Sequence, residues 1–184
     1  MARLIHVPVV HSMVEMGSAA AGYQAAYIAR HGEQKWRERS AEFDAIWRAI
    51  ATAIAARHLD LRRVKLYQDS LPVSGHEAAL MRDLAARGSR NHQLLAWLVD
   101  AGATLVGTES PALLLEEYRL LQSPERTDAA AATLLDQRDR FIAARIDETL
   151  GDDENGILFM GALHHVAKFL PPRIAVEVLP LGGP

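Results

Sequence analysis

Short apolar runs rich in β-branched residues alternate along this chain with segments of helical character, and that alternation limits the folds open to it more than any other feature. Residues 4–11, 63–68, 103–107, 156–162 and 173–179 read as strands. The run 156–162 is almost wholly apolar, as a strand covered on both faces would be. Between the second-helix limits, residues 33–58, Trp36, Phe43, Trp47, Ile50 and Ile54 fall on one stripe, with Arg37, Glu38, Glu42 and Arg48 opposite. Strand and helix in turn predict an α/β domain, a mostly parallel sheet of about five strands flanked by helices. Pro8 cannot donate to a ladder, so the first strand is expected at an edge or with its pairing interrupted there.

Start and stop signals divide the helices. One helix is expected from about Ser18 to Gly32. Ser74 and Glu77 have capping-box spacing, opening a helix that Gly88 closes. Ser89 caps the next, which Gly102 ends. Ser110-Pro111 is a cap followed by a first-turn proline, and Ser123-Pro124 repeats that signal, predicting a long helix from there to Leu150. Residues 164–170 read as a short helical turn. No repeat or linker splits the 184 residues, so one domain is expected, with a flexible tail at about 180–184.

Composition narrows the chemistry. There is no cysteine, which excludes disulfides, iron–sulfur clusters and thiol catalysis, so any metal would need His, Asp, Glu or backbone oxygen. The net charge of −3 comes with no long basic block, so a nucleic-acid partner is not expected. No stretch reads as a secretory leader or a membrane span, and a cytoplasmic protein is the expectation. The Leu-rich helices near residues 113–121 and 33–58 suggest a surface for a homo-oligomer.

In open parallel sheets ligands bind beyond the carboxyl ends of the strands. The residues expected there are His11 and Ser12, Asp69 and Ser70, Thr108 and Glu109, and His164 and His165, after the first four strands in turn. Each end thus carries a group able to hold a metal or move a proton. His11, Glu109 and His164 are the candidate catalytic residues and the candidate ligands of a divalent metal ion. Each has a plainer explanation: a packed histidine for His11, a charge at a helix N-terminus for Glu109, a cap for His164. Asp69 binds a ligand or makes an Asx-turn. Arg90 and Asn91 open a helix and suit an anion, or are solvated polar residues behind a Ser cap. Arg138, on the stripe of Leu134, Phe141 and Arg145, needs a partner: it holds an acid such as Glu109 or Asp69, clamps an anionic ligand, or bridges helices. His6 points to the face opposite His11. No Walker loop, Gly-x-Ser-x-Gly elbow or His-Glu-x-x-His is present.

Arg138-Asp139-Arg140-Phe141-Ile142-Ala143, followed by Gly156-Ile157-Leu158-Phe159-Met160-Gly161-Ala162-Leu163-His164, resembles the closing half of the TraB, erythromycin-esterase and ChaN-like superfamily. There an Arg-Asp or Arg-Asn helix precedes an apolar strand that ends in glycine and histidine. In place of that superfamily's opening Gly-Glu-x-x-His, this chain has His6-Val7-Pro8-Val9-Val10-His11-Ser12. The segments from His11 to Gly17, Tyr67-Gln68-Asp69, Gly88-Ser89-Arg90-Asn91-His92 and Gly107-Thr108-Glu109 also resemble a family of small bacterial proteins, a likeness that carries no activity with it. The superfamily resemblance implies a metal-assisted hydrolase or a small-ligand binder, with His164, Arg138 and Asp139 in the site and His11 and Glu109 beside them. The expectation is therefore an enzyme for a small anionic or ester-like substrate, a metal-assisted hydrolase, with Arg90 or Arg138 steadying the anion. The alternative is a non-catalytic binding or regulatory domain in which Arg90, Asn91 and Tyr67 select a metabolite.

Overall fold

The computed structural model describes residues 1–9 and 19–180. The elements in chain order are β1 (Ala2–Val9), α1 (Ala19–His31), α2 (Glu33–Ala55), β2 (Val64–Gln68), α3 (Glu77–Ala86), α4 (Arg90–Asp100), β3 (Thr104–Val106), α5 (Pro111–Gln122), α6 (Asp128–Thr149), β4 (Asn155–Gly161) and β5 (Ile174–Val178). Single 3-10 turns, Leu61–Arg63 and Val166–Phe169, lead into β2 and follow β4. All five expected strands form one sheet in the order β3-β2-β4-β1-β5, and each neighbouring pair is parallel.

Each strand alternates its side chains between two cores. On one face Ile5, Val7 and Val9 of β1, Leu66 of β2 and Phe159 of β4 pack with Trp47 and Ile50 of α2, Met81 of α3 and Leu95 and Leu98 of α4. Trp47 stacks on Phe159, ring centroids 6.4 Å apart. On the other face Leu4, Tyr67, Leu158 and Met160 meet Ile142, Ala143 and Ile146 of α6, with Val166 from the turn after β4. The central β4 is buried along its whole middle, which explains its unbroken apolar sequence.

Pro8 is accommodated inside the sheet rather than at its edge. The backbones of Ala2 and His6 turn toward β5, where Ala2 donates to Arg173 and His6 accepts from Leu179. Alternation sends Pro8 the same way, and the β5 ladder ends at the His6–Val178 pair, so no partner there needs its missing N–H.

Two helix starts differ from expectation. The long helix begins at Asp128 behind a Thr127 cap, whose hydroxyl accepts from Ala130 at 3.1 Å. Ser123 instead makes a turn, its hydroxyl accepting from Glu125. Helix α3 starts at Glu77, not behind Ser74. The Ser74 hydroxyl accepts from His76, and only the return half of the capping box forms, with the Glu77 carboxylate accepting from Ser74 and Gly75. Ser89 and Ser110 cap as expected, accepting from His92 and Leu113. No helix among the described residues is long and apolar enough to cross a membrane.

Candidate functional site

Strand order fixes where a site would form. From β2 the chain moves outward through α3 and α4 to β3, on one face. From β4 it moves the opposite way, past β1 to β5, on the other face. Neighbours β2 and β4 therefore send their exits apart, leaving a crevice at their carboxyl ends, the topological switch point of an open parallel sheet.

Asp69 lies in that crevice. Its backbone N–H extends the ladder to the Phe159 carbonyl (2.8 Å), and its Oδ2 accepts the Gly161 N–H (3.2 Å), so one residue ties the ends of β2 and β4 together. Its Oδ1 accepts from the Ser70 hydroxyl and from Arg138, each at 3.2 Å. Asn91, fully buried, donates to Gln68 Oε1 (2.9 Å), and Gln68 Nε2 donates to the Asp69 carbonyl (3.1 Å). Asn91 thus holds the end of β2 from below.

Glu109 comes from the loop after β3. Thr108 and Glu109 both donate backbone N–H groups to the Leu71 carbonyl, and Val73 donates to that of Glu109. This lashes the loop after β3 to the loop after β2. Gly107 allows the approach: a Cβ there would lie 2.8 Å from Val73 Cα. The Glu109 side chain is completely buried, and both its oxygens accept from Arg138, Oε1 from Nη2 at 2.5 Å and Oε2 from Nε at 3.2 Å.

Arg138 and Asp139 are consecutive on α6, and both are buried. Besides Glu109 and Asp69, the guanidinium contacts Glu117 of α5 (2.5 Å). Burial works against its charge, but Glu109, Glu117 and Asp69 together raise its pKa above the usual arginine value. For Glu109 burial prevails: it pushes the carboxyl above its ordinary range although Arg138 pulls it down. Asp139 turns toward the exit of β4. Its Oδ1 meets His164 Nδ1 at 2.5 Å and its Oδ2 accepts the His165 N–H at 2.6 Å. The other ring nitrogen, His164 Nε2, faces Asp69 Oδ1 at 3.8 Å. Ligand atoms of Asp69, Glu109 and His164 all lie within 4.8 Å of one another.

The crevice thus gathers Asp69, Glu109, Arg138, Asp139 and His164 from three strand exits and one helix. His11 and Ser12 lie outside the described residues. Arg90 is not part of the cluster. Its guanidinium pairs with Asp44 of α2 and with Gln93, beside the groove between α2 and α4. Tyr67 is a core residue, its hydroxyl against Thr149 (2.9 Å) and its pKa pushed up to about 12 chiefly by burial. His165 contributes its backbone, not its ring, to the Asp139 contact. Sequence reasoning missed Glu117. The pair Glu116-Glu117 on a Leu-rich helix offers no mark of which carboxylate turns inward, and only the buried Arg138 demanded one. No family model matches the chain, and the comparisons find neither a curated protein nor a solved structure similar to it.

Proposed function

We propose that this chain is a small metal-assisted hydrolase for a small anionic or ester-like substrate, working in the crevice between β2 and β4. The carrying observation is the line Asp139–His164–Asp69. A buried carboxylate sits on Nδ1 of the imidazole, and Nε2 is left facing a second carboxylate. A carboxylate on one ring nitrogen fixes the tautomer and makes the other nitrogen a better base or metal ligand. The likeness of residues 138–143 and 156–164 to the TraB, erythromycin-esterase and ChaN-like superfamily supports the same residues.

The donor set fits a divalent ion. Asp69, Glu109 and His164 offer two oxygens and one imidazole nitrogen, a combination suited to zinc, manganese or iron. Four carboxylates, of Asp69, Glu109, Glu117 and Asp139, surround one guanidinium and one imidazole, so the cluster has negative charge to spare. Such an ion supplies Lewis acidity and acidifies a water. The chain's own groups do the rest. Arg138 locks both acids in one geometry. Asp139 holds the Nδ1 proton of His164, so the Nε2 lone pair would be the ligand of a bound ion; with no ion bound, the same lone pair would take the proton of the attacking water and return it to the leaving group. The Gly161 N–H keeps Asp69 aimed across the crevice.

The test is elemental analysis of untagged protein, wild type and His164→Ala, with hydrolysis of p-nitrophenyl acetate followed on both. Stoichiometric metal and turnover in the wild type, both lost in a variant that melts at the same temperature, are expected. Turnover that survives in His164→Ala overturns the assignment, and the absence of metal from the wild type removes the ion from it. The second reading, a non-catalytic binder, draws on the saturation of Arg138 by three carboxylates, since a filled ion-pair cluster also serves as a rigid floor for a ligand. Stabilisation by a metabolite without turnover would favour it.

A further inference from the structure

Helices α2 and α4 lie on one face of the sheet, α2 anchored by Trp47, Ile50 and Ile54 and α4 by Leu94, Leu95 and Leu98. Outside these anchors the positions of α2 that turn toward α4 are small. Ala51 and Ala55 lie one turn apart, and Thr52 gives its hydroxyl to the Arg48 carbonyl (2.9 Å). Side chains this short leave a groove of about 550 Å³ between the helices, within the ~300–1,000 Å³ of small-molecule sites. Trp97 of α4 lines it and is 52% exposed. A large aromatic group beside an apolar floor makes a continuous patch, which scattered surface residues do not.

The groove is charged toward one end. There the Asp44 carboxylate accepts from Arg90 at Nε (2.9 Å) and Nη2 (3.3 Å). Arg48 also lines the groove, and it is exposed. It attracts Asp44 through charge alone and makes no ion pair with a described residue. One carboxylate against two guanidinium groups leaves a positive charge over. From Asp44 to Ala55 the groove follows α2 for about 16 Å, at 1.5 Å per residue. Its volume over that length gives a mean section of about 34 Å², under half that of an α-helix about 10 Å across. One extended chain fits such a space and a partner helix does not.

We infer that this groove binds a monomeric carboxylate with an extended aliphatic chain, of the fatty-acid kind, its head meeting Arg48 and its chain lying over Ala51, Leu94 and Trp97. The site is separate from the crevice between β2 and β4 and does not rest on the hydrolase reading.

The experiment titrates the protein with hexanoate, octanoate and decanoate, and with octanol as the uncharged control, by calorimetry. Affinity should rise about two- to fourfold for each added methylene, about fourfold being the worth of a fully buried one. Arg48→Gln should weaken octanoate about two- to fivefold, the range for an ion pair at the surface, and leave octanol unchanged. Thr52→Phe, at an exposed position, should fill the groove and weaken every ligand roughly tenfold without lowering the melting temperature. An affinity independent of chain length, an octanoate affinity untouched by Arg48→Gln, binding untouched by Thr52→Phe, or no binding of decanoate at about 10 mM would each overturn the inference. So would a dimer in light scattering that Thr52→Phe dissociates, because the groove would then belong to a second copy of the chain.

Discussion

Arg138 shows how one buried residue organises a site. The residue is 3% exposed, and its guanidinium spans three carboxylates from three segments of the chain. Removing it leaves Asp69 and Glu109 as buried charges without a counter-ion, so Arg138→Gln should cost about 3–5 kcal/mol. Urea unfolding measures this. Adding Glu109→Gln to that variant should recover part of the loss, because the double variant buries one charge fewer; strictly additive losses would show that the two residues do not interact. The sequence marked Arg138 because a guanidinium on an apolar stripe needs a partner, and it marked Asp69 and Glu109 by their position after strands. It left the choice among acid, anion and helix bridge open, since which carboxylates reach α6 depends on how the loops fold back. The structure shows Arg138 in contact with acids from the loops and with Glu117 of a neighbouring helix.

At the scale of elements, the site depends on two loops being lashed together, and Gly107 is the point of closest approach. A methyl group there would meet Val73 Cα at 2.8 Å and Glu77 Oε1 at 2.7 Å. A side chain can swing aside, but backbone has to shift, and the shift separates the loop that carries Glu109 from the one that carries Asp69. Gly107→Ala should therefore cost about 1–3 kcal/mol of stability and, on the hydrolase reading, lower turnover too. A variant within about 0.5 kcal/mol of wild type would mean that the loops adapt. Strand positions were legible because apolar runs bounded by turns are local signals. The starts of α3 and α6 were not. Ser74 and Ser123 carry good capping chemistry, but each is drawn into a turn by an amide two residues on, His76 in one case and Glu125 in the other. Strand order was also beyond the sequence, because it is set by which faces the helices cover.

For the whole molecule, that coverage has a consequence for stability against pH. His6 sits on β1, between β4 and β5, and lines a recess of about 230 Å³ together with Leu4, Leu158, Met160 and Val176. Among the described residues the other titratable groups lining the recess are His164, His165 and Lys168, and no carboxylate is among them. A proton on His6 would thus find no acid among those residues. Its folded pKa is lowered from 6.5, first by burial and further by His164. The unfolded chain then binds the proton more readily than the folded one. The resulting stability is fully present above the unfolded value of 6.5 and is lost as pH falls through the folded pKa. His6→Phe keeps a ring of similar size in the recess and removes the titration. Wild type should therefore lose more of its melting temperature than His6→Phe between about pH 7.5 and 5, a span that brackets the ordinary histidine pKa. Parallel curves for the two proteins over that span would mean that His6 is charged as easily in the folded sheet as in the unfolded chain, through an opening of the recess that lets water reach β1.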